Sequence, residues 1–293
     1  MKPLLAATIE SWDDVKFPVM ASYKLDGIRC LTDVIKAKTR SLKDVPNAYA
    51  QDKMQRWGLK RFDGELIVGE PNDPLCYTIT SSGIMSRGGT PDFRLWAFDT
   101  WEPRYADWTF HDRHRYIQDY IAIYNDPRLV LLEHFWIENL EDLMKFEASA
   151  VAQGYEGIMI RDPNGVYKHG RSTLKEGILC KVKRFVDTEG VVVGFKERMH
   201  NANEATINAL GYTERSGHQD NLVPMDTLGA VILRHPDFEE TFDCGSGFTD
   251  AQRAEAWARR FDDLVGSTVT FKYQSSGMKD KPRFPIFKGW RLD

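Results

Sequence analysis

The chain has 293 residues, a net charge of −4 and an ordinary globular composition, 42% hydrophobic and 28% charged. That length holds one large or two modest domains. It contains no run of about 18 apolar residues, so no membrane helix and no membrane partner is expected. The opening MKPLLAATIESWDD turns acidic too soon for a secretory leader, so a cytoplasmic location is expected. Residues 1–185 hold 26 Lys+Arg against 26 Asp+Glu, and residues 186–293 hold 13 against 17, so any nucleic-acid surface has to be a local patch. Cys30, Cys76, Cys180 and Cys244 are far apart and form no Cys-x-x-Cys, which reads as reduced thiols rather than a disulfide framework or zinc site.

In chain order, residues 18–35 run apolar around Asp26-Gly27, the pattern of strand, turn, strand. Residues 45–57 carry a short helical pattern that stops at Gly58. Phe62 to Val68 and Leu95 to Thr100 read as buried strands, and the Gly- and Ser-rich stretch from Ile79 to Gly89 between them reads as a loop. Residues 110–124 and 139–153 have helical spacing, the second ending at Gly154. Gly157 to Arg161 and Ile178 to Phe185 are strands again. This mixture predicts an α+β first domain. The pattern changes near Val186-Asp187. Gly190 to Phe195, Leu228 to Arg234, Glu239 to Cys244 and Val269 to Tyr273 are short strands, and Thr249-Asp250-Ala251-Gln252 opens one helix with a capping box. Such a set fits a small OB-type barrel. Between those strands, Arg198 to Asp226 reads as a long polar loop.

The chemistry-bearing residues are spread along this frame. Lys24 stands in Tyr23-Lys24-Leu25-Asp26-Gly27-Ile28-Arg29, a lysine set among apolar residues beside a glycine turn. Partial burial tunes such an amine to act as a nucleophile. Arg40 lies in Thr39-Arg40-Ser41, Glu65 in Asp63-Gly64-Glu65, Phe98 before Asp99, and Glu156 opens Glu156-Gly157-Ile158-Met159-Ile160-Arg161. Lys181 and Lys183 alternate on a strand, so both amines share a side. Chemistry on a nucleoside triphosphate needs cations for the phosphates, carboxylates for a divalent metal or a ribose hydroxyl, and an aromatic face for the base. The seven histidines show no metal-ligand spacing, and His111 and His114 read as solvated.

In this order the segments resemble the covalent nucleotidyltransferases, most closely the compact ATP-dependent DNA ligases of bacteriophage and viral type. The resemblance runs from Lys2-Pro3-Leu4-Leu5-Ala6 to Arg283-Phe284-Pro285, and Gly245-Ser246-Gly247-Phe248-Thr249-Asp250-Ala251-Gln252-Arg253 resembles a segment of DNA ligase OB domains. It implies an ATP-grasp-like adenylation domain over residues 1–186 and an OB-fold domain over 187–293. It implies that Lys24 attacks the α-phosphate of ATP and carries AMP as a phosphoramidate, with Lys181 and Lys183 neutralising charge. Tyr23, Arg29, Glu65, Phe98 and Arg283 then contact the nucleotide, with Glu65 on the ribose, Phe98 on the adenine and Arg283 on the departing pyrophosphate. Asp26 and Glu156 are the metal candidates, for Mg²⁺ with Mn²⁺ as a substitute. Arg29 and Arg40 contact either the ribose or the 5′-phosphate at the nick. The expected partner is nicked duplex DNA, bound by a monomer that needs no other protein.

Two further segments resemble DNA contacts. The stretch Ile79–Gly89, with Ser82 and Arg87, resembles a loop near the nick and reads equally well as a connector. The stretch Arg198–Asp226, with Arg198 and Arg215, is expected to embrace DNA, although it also carries Glu197, Glu204, Glu214 and Asp220. Other branches of the superfamily fit less well. A capping guanylyltransferase is disfavoured by the Gly245–Arg253 segment, an RNA ligase by the OB domain with its Arg283 ending, and an NAD-dependent ligase by the mere 23 residues before Lys24. A non-catalytic nucleic-acid binder would require a degraded site, and no key position is degraded.

Overall fold

The computed structural model describes residues 2–9, 11–33, 35–55, 61–274, 278 and 280–291. The chain divides into two compact units, Met1–Lys183 and Arg184–Asp293. The first holds strands β1 (Ala7–Thr8), β2 (Val19–Tyr23), β3 (Ile28–Thr32) and β4 (Ala37–Thr39), helix α1 (Ala48–Gln55), β5 (Phe62–Val68), α2 (Cys76–Met85), β6 (Phe93–Thr100), α3 (Phe110–Tyr124), β7 (Leu129–Leu131), β8 (Phe135–Ile137), α4 (Leu140–Ala152), β9 (Gly157–Arg161) and β10 (Leu179–Lys183). Among the described residues these strands form two five-stranded sheets, ordered β1-β10-β9-β2-β8 and β4-β3-β5-β6-β7. The strand-turn-strand expected around Asp26-Gly27 is present, but its two strands belong to different sheets. Gly27 makes the crossing: a Cβ there would meet the Leu66 carbonyl oxygen at 2.3 Å and the Ile67 side chain at 2.4 Å, so only glycine fits.

The apolar periodicity explains the packing. Cys30, Phe62, Leu66, Leu95, Ala97 and Ile117 form one core, and Val19, Ala21, Leu143, Ala150, Ile158 and Ile160 another. Helices α3 and α4 start on side-chain caps, Thr109 and Asn139, each accepting from the N–H three residues on. Helix α1 falls inside the expected 45–57 segment but begins only at Ala48; residues 56 and 57 and the expected stop at Gly58 lie outside the described residues. The Ile79–Gly89 loop expectation is corrected up to Met85, whereas residues 86–89 are irregular as expected. Residues 76–85 are helix α2, because Cys76, Thr80 and Ile84 recur at i, i+4, i+8 and are buried. Thr80 Oγ1 also accepts from the Val68 N–H at 2.9 Å, tying α2 to β5. Cys30, Cys76, Cys180 and Cys244 are buried free thiols.

The second unit holds β11 (Val186–Asn201), β12 (Ala205–Ile207), β13 (Thr213–Arg215), β14 (Leu222–Arg234), β15 (Phe242–Cys244), α5 (Asp250–Ala258), β16 (Thr268–Gln274) and β17 (Arg283–Trp290). Its sheet is ordered β15-β14-β11-β16-β17. An isolated bridge joins Ser246 to Ile286, and the Phe287 N–H donates to the Ser246 oxygen at 2.8 Å, so the end of β15 meets β17. The capping box at Thr249 and Gln252 is formed. Five strands and one helix around Val231, Phe248, Phe271 and Phe287 make this the OB-fold domain.

Here the structure corrects a second expectation. Arg198–Asp226 is not an irregular loop: β11 and β14 pair from Val191↔Arg234 out to Asn201↔Leu222, and β12 pairs with β13 beyond them. Sequence alternation was hidden because the outer part of this ribbon is largely exposed on both faces. Asn203 is its hub. It is 5% exposed, and its side-chain amide donates to Asn201 Oδ1, Ser216 O and His218 O at 2.8–3.1 Å while accepting from Asn221.

Candidate active site

Lys24 follows directly on β2, and its N–H donates to the Gly157 oxygen at 2.9 Å. Gly157 sits at φ +146°, where a Cβ would meet the Val182 oxygen at 2.3 Å; this close approach brings Glu156, β9 and β10 together. The Glu156 carboxylate is 1% exposed and accepts the Lys24 ammonium on Oε2 and the Lys183 ammonium on Oε1. Burial, and then the neighbouring charge of Lys183, pushes the Lys24 amine down to about 8, with Glu65 and Asp26 acting the other way. Lys181 is also lowered, by burial and then by Lys183, Arg171 and Arg40. Tyr23 lies between two rings, stacked on Tyr155 at 4.2 Å and on Phe146 at 5.2 Å. Tyr23 precedes Lys24 and Tyr155 precedes Glu156, so the stack steadies both ends of the ion pair.

The second sheet supplies the other wall. Glu65 on β5 is pushed up to about 7 by burial, against the pull of Arg29 and Lys24. Arg29 on β3 faces Glu65 in register and grips Asp63 through Nε at 2.5 Å and Nη2 at 2.6 Å, with Nη2 also donating to the Leu4 oxygen. Tyr167 donates to the same Asp63 at 2.7 Å. Phe98 sits in a bulge, since β6 spends two steps from Ala97 to Asp99 where β5 spends one from Asp63 to Gly64. Its ring is 9% exposed, packs with Leu25, Ile67, Cys76 and Leu132, and has the guanidiniums of Arg29 and Arg161 at 4.7 and 5.4 Å.

Behind Phe98 lies a buried ionic knot. Asp99 receives Arg113 on both oxygens at 2.8 and 3.2 Å and Arg161 at 2.7 Å. Burial alone would raise the Asp99 carboxyl; the two guanidiniums hold it below its ordinary range. His114, expected to be solvated, is 7% exposed, and it and His134 both approach the Leu132 oxygen, at 3.1 and 3.0 Å. A carbonyl only accepts, so each ring donates there. Burial lowers both imidazoles, His134 well below its ordinary value.

The structure thus gathers Lys24, Asp26, Glu65, Glu156, Lys181 and Lys183, with Arg29 and Phe98 adjoining. Arg40 is exposed just past β4, Ser82 is exposed on α2, and Arg87 is exposed beyond that helix. Arg198 pairs with Asp250 at 2.9 Å, and Arg215 donates to the Asn203 oxygen within the ribbon. Arg283 opens β17 of the second unit. Sequence reading missed Arg171, Tyr167 and Arg113, whose partners lie too far along the chain to leave a local motif. Among the described residues no cluster of three or more His, Cys, Asp and Glu is assembled to hold a metal. The Glu156 and Asp26 carboxylates are oxygen donors of the kind that Mg²⁺ takes one or two at a time alongside nucleotide phosphates.

A two-sheet domain with a partly buried lysine facing carboxylates and cations, followed by an OB domain, defines a covalent nucleotidyltransferase. Residues 3–183 match the family model described as the ATP dependent DNA ligase domain, and residues 223–291 match the DNA ligase OB-like domain. The chain belongs to the ATP-dependent DNA ligase family. It is 23% identical to the DNA ligase of Haemophilus influenzae over 284 residues, 97% of this chain and 87% of that protein. The crystal structure of Chlorella virus DNA ligase-adenylate superposes with a TM-score of 0.57 at 28% identity, covering 99% of each chain. The DNA ligase of African swine fever virus is 29% identical over 66 residues, which are 22% of this chain and 16% of that protein. No helix among the described residues is long and apolar enough to cross a membrane.

Proposed function

We propose that this chain seals 3′-hydroxyl/5′-phosphate nicks in duplex DNA with ATP, acting as a monomer. Residues 1–186 serve as the adenylating domain and residues 187–293 as the DNA-facing OB domain. The observation that carries the reading is the shared Glu156 carboxylate, which holds Lys24 and Lys183 together at the end of the first sheet. An amine lowered to about 8 sheds its proton far more readily than an ordinary lysine. The neutral Lys24 Nζ attacks the α-phosphorus of ATP, the bond to the bridging oxygen breaks, and pyrophosphate leaves. Lys181 and Lys183 face the charge that builds on the α-phosphate. Glu65 takes the ribose, Phe98 the adenine, and Arg283 the departing pyrophosphate. Mg²⁺ held by Glu156 and Asp26 would neutralise phosphate charge. AMP then passes to the DNA 5′-phosphate, and the 3′-hydroxyl displaces it. The relative from Chlorella virus was crystallised as its adenylate, which supports the lysine intermediate. The β11–β14 ribbon with β12 and β13, carrying Arg198 and Arg215, grips the duplex, and Arg40, Ser82 and Arg87 line the nick.

A label-transfer assay tests this. The protein is incubated with Mg²⁺ and α-labelled ATP or GTP, resolved under denaturing conditions, and chased with nicked DNA. Label from ATP that chases into sealed DNA, and is absent from Lys24→Ala, is the expected result. Label from GTP alone would assign the chain to capping chemistry, and DNA binding without any adduct would make it a non-catalytic binder.

A further inference from the structure

Asn47 stands directly before α1 and is fully buried. Its Oδ1 accepts from the Ala50 N–H at 2.9 Å, which caps α1. Its amide nitrogen serves a different element. It lies 3.3 Å from the Gly83 oxygen near the end of α2, and 3.1, 2.8 and 3.4 Å from the Ser86, Gly88 and Gly89 oxygens. The Arg87 oxygen accepts from the Ala48 N–H at 3.2 Å. The four consecutive carbonyls from Ser86 to Gly89 therefore all turn inward to the start of α1. Gly89 closes the turn in the left-handed region, at φ +84°. A turn that only joined α2 to β6 could leave those carbonyls to water. Arg87 is the only charged residue between Met85 and Pro91, and it is exposed. Among the described residues its guanidinium has no hydrogen bond or ion pair. The chain thus fixes the backbone on both sides of a cation whose partner has to come from outside.

We propose that Asn47 is a positioning residue for nick binding, its buried amide fixing the turn that presents Arg87 to a phosphate of the DNA. This rests on the reading of the chain as a nick-sealing ligase. A guanidinium on a fixed turn loses less freedom on binding than one on a loose loop, so the clasp lowers the ordering cost of the contact. Asn47 itself touches neither nucleotide nor DNA and acts only through Arg87. Its loss should then appear in the dependence on nick concentration and on salt, and not in the formation of the adduct.

The test uses Asn47→Ser, whose hydroxyl still caps α1 but cannot reach across as the amide does. Self-adenylation and the affinity for a nicked duplex are measured on the full chain for wild type, Asn47→Ser, Arg87→Ala and the double variant, across a series of salt concentrations. Asn47→Ser should form its adduct at the wild-type rate and bind the nick about tenfold more weakly. Each single variant should lower the slope of log affinity against log salt by about one, the mark of one lost phosphate contact. The double variant should bind no more weakly than Arg87→Ala alone. Gly89→Val gives a second route, since it strains the same turn without altering a buried side chain, and it should behave as Asn47→Ser does. Should Asn47→Ser not fold, Gly89→Val carries the same comparison. A penalty as large in the Arg87→Ala background as in wild type would overturn the proposal, as would full nick affinity in Arg87→Ala. A wild type that forms its adduct but binds no nicked duplex would instead remove the nick-sealing reading itself, so the two failures are distinguishable.

Discussion

Glu156 accepting two ammonium groups makes its neighbours unequal. Lys24→Ala leaves Lys183 still paired, so the fold should be nearly unchanged while adduct formation is lost. Glu156→Ala leaves two partly buried ammoniums facing each other and should cost about 3–5 kcal/mol, read as a shift in urea midpoint. If the two variants unfold alike, the shared carboxylate is not what holds this corner. Lys24→Arg keeps the charge but not a nucleophilic amine, and should abolish self-adenylation; an intact mass shift by AMP would remove Lys24 from its role. The imidazole pair makes a separate prediction. Burial holds His134 and His114 below their unfolded values near 6.5, so the unfolded chain binds protons that the folded chain refuses. Stability from this source is complete above that value and declines as pH falls below it. His134→Phe keeps a ring against Phe110 and should shrink the loss in urea midpoint between pH 7 and 5.5.

At the scale of elements, legibility followed periodicity. Helices α3 and α4 and strands β5 and β9 were readable because each shows one apolar face and a capping or turn residue at its end. Helix α2 was hidden by Ser81, Ser82 and Gly83, although Thr80 and Ile84 carry the buried spacing. The β11–β14 ribbon was hidden because its outer residues face water on both sides and offer no alternation. What orders its far end is polar, centred on Asn203 and its bonds to Ser216 and His218. Replacing residues 199–224 by a short turn should therefore leave the OB core folded and self-adenylation intact while weakening binding to a nicked duplex. Unchanged affinity in a gel-shift titration would show that the ribbon does not touch DNA. Lys24, Asp26, Glu65, Glu156, Lys181 and Lys183, which the fold brings together, each stand in a short motif, and that made them readable. Tyr167 with Asp63, and Arg113 with Asp99, were not, because 104 and 14 residues separate the partners.

The whole molecule has separate cores for its two units, centred on residues such as Phe62 and Ile158 in one and Phe271 in the other. Calorimetry of Lys24→Ala should therefore resolve two transitions. ATP at a hundredfold over its dissociation constant should raise only one of them, adding about 2.7 kcal/mol to that unit. A single transition, or a shift of both, would show that the units unfold as one.

The crossing at Gly27 divides the candidate site by sheet. Lys24, Glu156, Lys181 and Lys183 all stand on or beside β2, β9 and β10, whereas Arg29, Glu65 and Phe98 stand on β3, β5 and β6. On the proposed roles, one sheet carries the phosphoryl chemistry and the other recognises the nucleoside. A lineage could therefore retune which nucleotide it consumes by drift on the second sheet, leaving the reactive one untouched. The three residues from Leu25 to Gly27 are the direct covalent seam that such change has to preserve.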